Sequence, residues 1–135
     1  MRFWLIKSEP YKYSWDQLEK DGIAFWDGVR NYQARNNLAA MQNGDLCLFY
    51  HSNEGKEVVG IARVTGTAKP DPTADVATWV GVDVAPHRRL KKPVGLARIK
   101  SEPSLAQMGL LRQGRLSVVE VSREEFDIIV ALSEQ

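Results

Sequence analysis

The chain has 135 residues, with 18 Lys and Arg against 17 Asp and Glu, two His and one Cys. That length suits a single domain over residues 1–135 that buries roughly two-thirds of its unfolded surface without a staple, and the near-balance of charge excludes bulk coating of nucleic acid, leaving a local basic patch or a specific pocket. The lone Cys47 excludes an intramolecular disulfide and a cysteine zinc site, the two histidines give no reason to expect a metal centre or another cofactor, and no apolar run approaches a membrane span or a signal peptide, so a cytoplasmic protein is expected.

In chain order, Phe3-Trp4-Leu5-Ile6 is a short apolar run that reads as a strand tied into a sheet. It stops at Lys7-Ser8-Glu9-Pro10, because proline cannot donate to a ladder and biases Glu9 away from helix. Lys7, Ser8 and Glu9 therefore leave a strand end together, which suits a cleft or an ordinary turn. Ser14-Trp15-Asp16-Gln17 has the spacing of a capping box and opens a brief helix that Asp21-Gly22 ends.

The run from Phe25 to Leu38 combines aromatic residues, two arginines and several amides with few good core residues. Asp27-Gly28 reads as a turn. Ala34, Leu38 and Met41 fall at helical spacing, predicting a helix from near Asn31 to before Asn43-Gly44-Asp45. Arg30, Asn31, Arg35 and Asn36 would then sit at or near its first turns, where free backbone N–H groups attract anions. Trp26 just ahead offers a flat apolar face. Such parts can hold a base and its phosphate; they also fit a well-capped surface helix with Trp26 in the core.

Asp45 to Ser52 reads as a strand with Leu46, Leu48 and Tyr50 on one face and Cys47, Phe49 and His51 on the other. Both faces are apolar enough to be buried, as in a barrel or sandwich, and Cys47 reads as an inert core thiol. Asn53-Glu54-Gly55-Lys56 makes a hairpin loop and Val58–Val64 the returning strand, in which Gly60 marks a bulge or a close backbone approach. In the loop that follows, Asp71 or Thr73 caps a turn. Trp79–Val84 alternates, placing Asp83 beside an aromatic. Pro86–Pro93 carries Arg88, Arg89, Lys91 and Lys92 and reads either as a phosphate-contacting edge or as a charged edge strand that resists pairing. Val94–Gly114 breaks into short helical pieces. Within it Ile99-Lys100-Ser101-Glu102-Pro103 repeats Ile6-Lys7-Ser8-Glu9-Pro10 letter for letter, a coincidence that extends to neither side. Arg115, Leu116 and Ser117 lead into a last strand, Val118–Val121, and Ser122-Arg123-Glu124-Glu125 is a capping box into a final helix.

Trp4–Pro10, the block Trp26–Asn36, Gly44-Asp45, Phe49-Tyr50-His51-Ser52 and Arg115–Val118 together resemble the EVE domain family over essentially the whole chain. The resemblance implies an α+β, PUA-like fold, a small bent β-barrel with surrounding helices, related to YTH domains that hold a methylated adenine in an aromatic cage. It implies a module that binds DNA or RNA carrying a modified base, such as 5-methylcytosine or its oxidised forms. Carried over residue by residue, the base pocket would comprise Lys7, Ser8, Glu9, Trp26, Val29, Asn31, Arg35, Tyr50, His51, Ser52, Arg115, Leu116 and Ser117. The candidates for flanking phosphates are Arg30, Arg88 and Arg89, joined by Arg35 and Arg115. The loop Asn53–Glu57 is more polar than in many relatives, which bears on how a strand is held rather than on the pocket.

A pocket reader must extrude the base from a duplex or take it from a single strand. A reader that only binds leaves any reaction to a separate effector protein. The competing class is a small hydrolase of modified nucleosides using Lys7 with Glu9, or His51 with Ser52. Neighbours on a strand point to opposite faces, so His51-Ser52 makes no direct dyad, and binding is the favoured expectation. A protein-interaction module is the third reading.

Overall fold

The computed structural model describes residues 1–135. The strands are β1 (Phe3–Ser8), β2 (Ala24–Trp26), β3 (Leu46–His51), β4 (Glu57–Val64), β5 (Lys69–Pro70), β6 (Val80–Gly95) and β7 (Val118–Val121). The helices are α1 (Trp15–Asp21), α2 (Tyr32–Ala40), α3 (Leu96–Lys100), α4 (Gly109–Arg112) and α5 (Arg123–Ser133), with a single 3-10 turn at Pro103–Leu105. The strands form one sheet in the order β2-β6-β4-β3-β1-β7, with β5 on β6 beyond that path. The sheet curls into a half-barrel flanked by helices, an α+β arrangement of the PUA-like kind.

Strand alternation sorts the apolar runs into two layers. Trp4, Ile6, Cys47 and Phe49 face Trp15 and Leu18 of α1 and Ala34 and Leu38 of α2. Phe3, Leu5, Leu48 and Tyr50 face the other way, against Ile99, Leu105, Phe126 and Ile129. The parallel β1–β3 pair lies between these layers, covered on both sides as parallel strands require. Its register is fixed at one end by Asp45, whose buried carboxylate accepts the Trp4 indole N–H (3.0 Å), the Arg2 amide (3.1 Å) and the Gln42 amide (3.0 Å). Burial alone would raise this carboxyl's pKa; these donors outweigh it and hold the pKa below the usual range. Cys47 is fully buried, and burial pushes its thiol pKa up, consistent with an inert core position.

The helix starts follow their caps. Ser122 forms a complete capping box with Glu125. Ser14 accepts the Gln17 amide, but the Gln17 side chain turns forward to Asp21 (2.8 Å), so only half of the expected box exists. Asn31 caps α2 through Ala34 N–H at 3.0 Å. Gly60 combines both readings of its position. The β4 register shifts beside it, and a Cβ there would sit 2.6 Å from the Trp15 indole. The basic segment Pro86–Pro93 continues β6 rather than forming a separate element. From Pro86 onward that strand pairs with β4 alone, because β2 and β5 meet it only between Val80 and Val84.

Candidate nucleic-acid site

Where β1 ends, three segments converge. The Ser8 carbonyl accepts the Ser52 amide (2.9 Å), and the Lys7 amide donates to the Ser117 carbonyl (3.0 Å). Opposite them, β2 and the loop to α2 bring up Trp26, Val29, Arg30 and Asn31. Between these walls lies a cleft of about 760 Å³, within the range of small-ligand sites. Lys7, Ser8, Glu9, Trp26, Val29, Asn31, Ser52, Arg115 and Ser117 all line it, as does Arg30.

Each wall has a local cause. Ser8 Oγ donates to the Tyr13 carbonyl at 2.6 Å, folding the segment after Pro10 back onto the strand end. Lys7 Nζ donates to the Gly114 carbonyl at 2.7 Å, and burial pushes its pKa down. Glu9 accepts from the Tyr11 hydroxyl and pairs with Lys12 at 3.7 Å. Trp26 is half-buried, held edge-to-face by Phe49 (5.5 Å between centroids) and Tyr13 (6.1 Å). Its carbonyl would lie 2.5 Å from a Cβ on Gly81, so the close β2–β6 approach needs glycine there. Val29 is buried and supplies an apolar surface.

The loop between Trp26 and Asn31 is held from a distance. Gly28, at φ +75°, donates its amide to Asp71 Oδ2 at 2.8 Å, and Arg30 reaches the same oxygen at 2.9 Å. Thr73 completes the set through its amide (2.8 Å) and hydroxyl (2.6 Å) to Oδ1. Burial of this carboxylate would raise its pKa, but the Thr73, Gly28 and Arg30 donors hold it well below the ordinary carboxylate range. The sequence marks Asp71 or Thr73 as a turn cap, and the structure shows Asp71 in that role; its reach to Gly28 has no sequence signal. Lys12, Tyr13 and Asp27 also line the cleft without having been singled out.

Four expected pocket residues lie elsewhere. Arg35 sits over the rings of Tyr32 (5.1 Å) and Trp79 (5.9 Å) and donates to Asn36 and to the Thr78 carbonyl. Tyr50 packs in the opposite apolar layer, as the alternation of β3 dictates, and lines a second depression. The His51 ring turns to α1, where Nε2 accepts the Trp15 amide at 3.1 Å. Burial is the main cause that lowers its pKa. Because Ser52 faces the cleft and His51 does not, the two form no dyad. Leu116 is buried in the core beneath the cleft wall. Of the phosphate candidates, Arg89 is paired with Asp16 and Glu19 of α1, and Arg88 is exposed on β6; neither lines the cleft.

The structure is thus a PUA-like half-barrel with a polar-rimmed, tryptophan-bordered cleft at one strand end. The EVE domain family model matches residues 2–132, and the chain belongs to that family. A solved protein of Rhodopseudomonas palustris is 45% identical, with a TM-score of 0.95 over 99% of this chain and 94% of that one. Mouse thymocyte nuclear protein 1 is 36% identical over 98% of this chain and 74% of its own length. Human THYN1, solved in complex with 5-methylcytosine-containing DNA, is 34% identical, with a TM-score of 0.93 over 100% of this chain and 99% of that one. No helix of the chain is long and apolar enough to cross a membrane.

Proposed function

We propose that this chain reads a modified base of the 5-methylcytosine kind in DNA by taking it, flipped, into the cleft at the end of β1. The observation that carries the reading is the convergence of Lys7, Trp26, Val29, Asn31 and Ser52 on one cavity of about 760 Å³. The human relative bound to 5-methylcytosine-containing DNA supports the same assignment.

The parts divide the work by chemistry. Trp26 stacks on the extruded base, a contact worth on the order of 1–3 kcal/mol. Asn31 spends its Oδ1 on the α2 cap, which leaves its amide nitrogen for a base edge beside Ser52 and the half-buried Lys7. Val29 receives the modification. A lone methyl in an apolar site contributes about 1–3 kcal/mol of discrimination, so preference over unmodified cytosine is moderate. Arg115, exposed and outside every ion pair, is a cleft cation free for a phosphate, whereas Arg30 is engaged by Asp71. RNA as a second, weaker polymer, residence in the cytoplasm and a separate effector protein are further parts of this proposal.

The test is binding of matched oligonucleotides, DNA and RNA, with and without one 5-methylcytosine, to the wild-type chain and Trp26→Ala. The expected result is preference for the methylated DNA and loss of most affinity in the variant, with circular dichroism unchanged. Equal affinity for methylated and unmodified strands contradicts the reading.

A further inference from the structure

A smaller depression of about 290 Å³ adjoins the cleft and shares Lys7, Ser52 and Gly114 with it, so the Lys7–Gly114 hydrogen bond forms a common rim. Lys56, from the loop after β3, and Lys100, from the end of α3, bring two more cations. Neither is in an ion pair, and no carboxylate lines the depression. Three ammonium groups without a counter-charge attract an anion. The two elements are fixed relative to each other, because the Lys56 carbonyl accepts the Leu96 amide at 2.8 Å at the start of α3.

Tyr50 provides an independent pointer to the ligand. The residue is 4% exposed and lines this depression, so what little of it is accessible opens here, and its hydroxyl is not among the buried atoms sealed from solvent. An O–H donor opening on a cationic depression offers an anion a hydrogen bond beside the ammonium groups. Burial raises the phenol's pKa, which keeps the proton available for donation.

We infer that this depression binds a backbone phosphate of the nucleotide next to the flipped base, held by Lys56, Lys100 and the Tyr50 hydroxyl with Lys7 at the shared rim. The inference rests on the proposed reading for the presence of the strand, and it replaces Arg88 and Arg89 as the phosphate contact. The continuity of the two cavities sets the geometry: a strand whose base occupies the cleft passes its adjoining phosphate over the Lys7–Gly114 rim. Phosphate contacts of this kind position the strand without reading its sequence.

The experiment uses the whole chain, wild-type, Lys56→Gln/Lys100→Gln and Tyr50→Phe, with DNA carrying one 5-methylcytosine over a range of salt concentrations. The double variant is expected to bind roughly tenfold more weakly at low salt, with the slope of log K against log salt reduced by about 1. The ratio of methylated to unmodified affinity stays within about twofold, as for a contact that only positions. Tyr50→Phe keeps the packing and lowers affinity several-fold. A neutral methylphosphonate at the flanking phosphate weakens wild-type binding but barely affects the double variant, the non-additivity expected of a shared contact. An unchanged salt slope in the double variant, or full additivity at every methylphosphonate position, overturns the inference. If the wild type shows no methyl preference yet the double variant loses slope, the phosphate site stands and the base reading fails; preference with an unchanged slope gives the reverse.

Discussion

Asp71 and Arg30, 41 residues apart, meet at 2.9 Å beneath the cleft, and the same carboxylate oxygen takes the Gly28 amide. The loop that presents Trp26 and Val29 is therefore shaped by a residue outside it. The Asp71 side chain is fully buried while Arg30 is 39% exposed, so solvent screens the ion pair and the hydrogen bonds to Gly28 and Thr73 dominate. Asp71→Ala leaves those amides without their acceptor and is expected to cost about 2 kcal/mol by urea denaturation, with binding of methylated DNA reduced at least tenfold. Arg30→Ala, which spares the Gly28 bond, has the smaller effect on both.

Acid tests the same relationship. Because the folded-state pKa of Asp71 is depressed, its contribution to stability is present above the ordinary carboxylate value, about 3.9, and is lost as pH falls toward the folded value. The wild-type chain should lose stability more steeply than Asp71→Asn below about pH 4. Parallel curves would contradict this assignment.

His51 titrates in a different window. Its folded pKa is lowered, first by burial, and its Nε2 accepts the Trp15 amide, a bond that protonation removes. The unfolded chain takes up a proton that the folded chain resists, so stability falls as pH drops below about 6.5. Urea midpoints at pH 7.5 and 5.5 should differ more for the wild type than for His51→Gln.

The fit of α1 to the sheet rests on Gly60. A Cβ there would stand 2.6 Å from a buried indole, so Gly60→Ala is expected to destabilise by about 1–3 kcal/mol. At Gly114 nothing lies within 4 Å of an added Cβ. Gly114→Ala should therefore stay within about 0.5 kcal/mol. Thermal unfolding of the two variants separates packing from a general effect of losing glycine.

Arg89 was a reasonable phosphate candidate from its basic segment, yet its guanidinium is held by Asp16 and Glu19. Arg89→Gln is expected to change DNA affinity less than twofold while lowering stability slightly, by about 0.5 kcal/mol for an exposed network. A tenfold loss of affinity would restore it to the interface.

What the sequence revealed was local. The capped start of α5, the alternation of β3 and the tight spot at Gly60 each depend on neighbours a few residues away or on one steric fact. The five residues Ile-Lys-Ser-Glu-Pro mark where that legibility ends. Starting at Ile6 they close β1, and starting at Ile99 they close α3, because the partners on either side differ. The cleft is legible in large part through the family resemblance, but of its Tyr50-His51-Ser52 segment only Ser52 lines that cleft. The alternation of β3 parts these neighbours, and the structure sends them to the second depression, to α1 and to the cleft. Asp71 illustrates the opposite case: its role depends on contacts 41 and 43 residues away, which no spacing pattern signals.

The most direct measurement is nuclear Overhauser contact from the methyl group of a single 13C-labelled 5-methylcytosine in duplex DNA bound to this chain. The account predicts contacts from that methyl to the Trp26 ring and the Val29 methyls, and none to the bases that flanked it in the duplex. Retained contacts to the flanking bases, with no signal from Trp26 or Val29, would place the base outside the cleft and contradict the account.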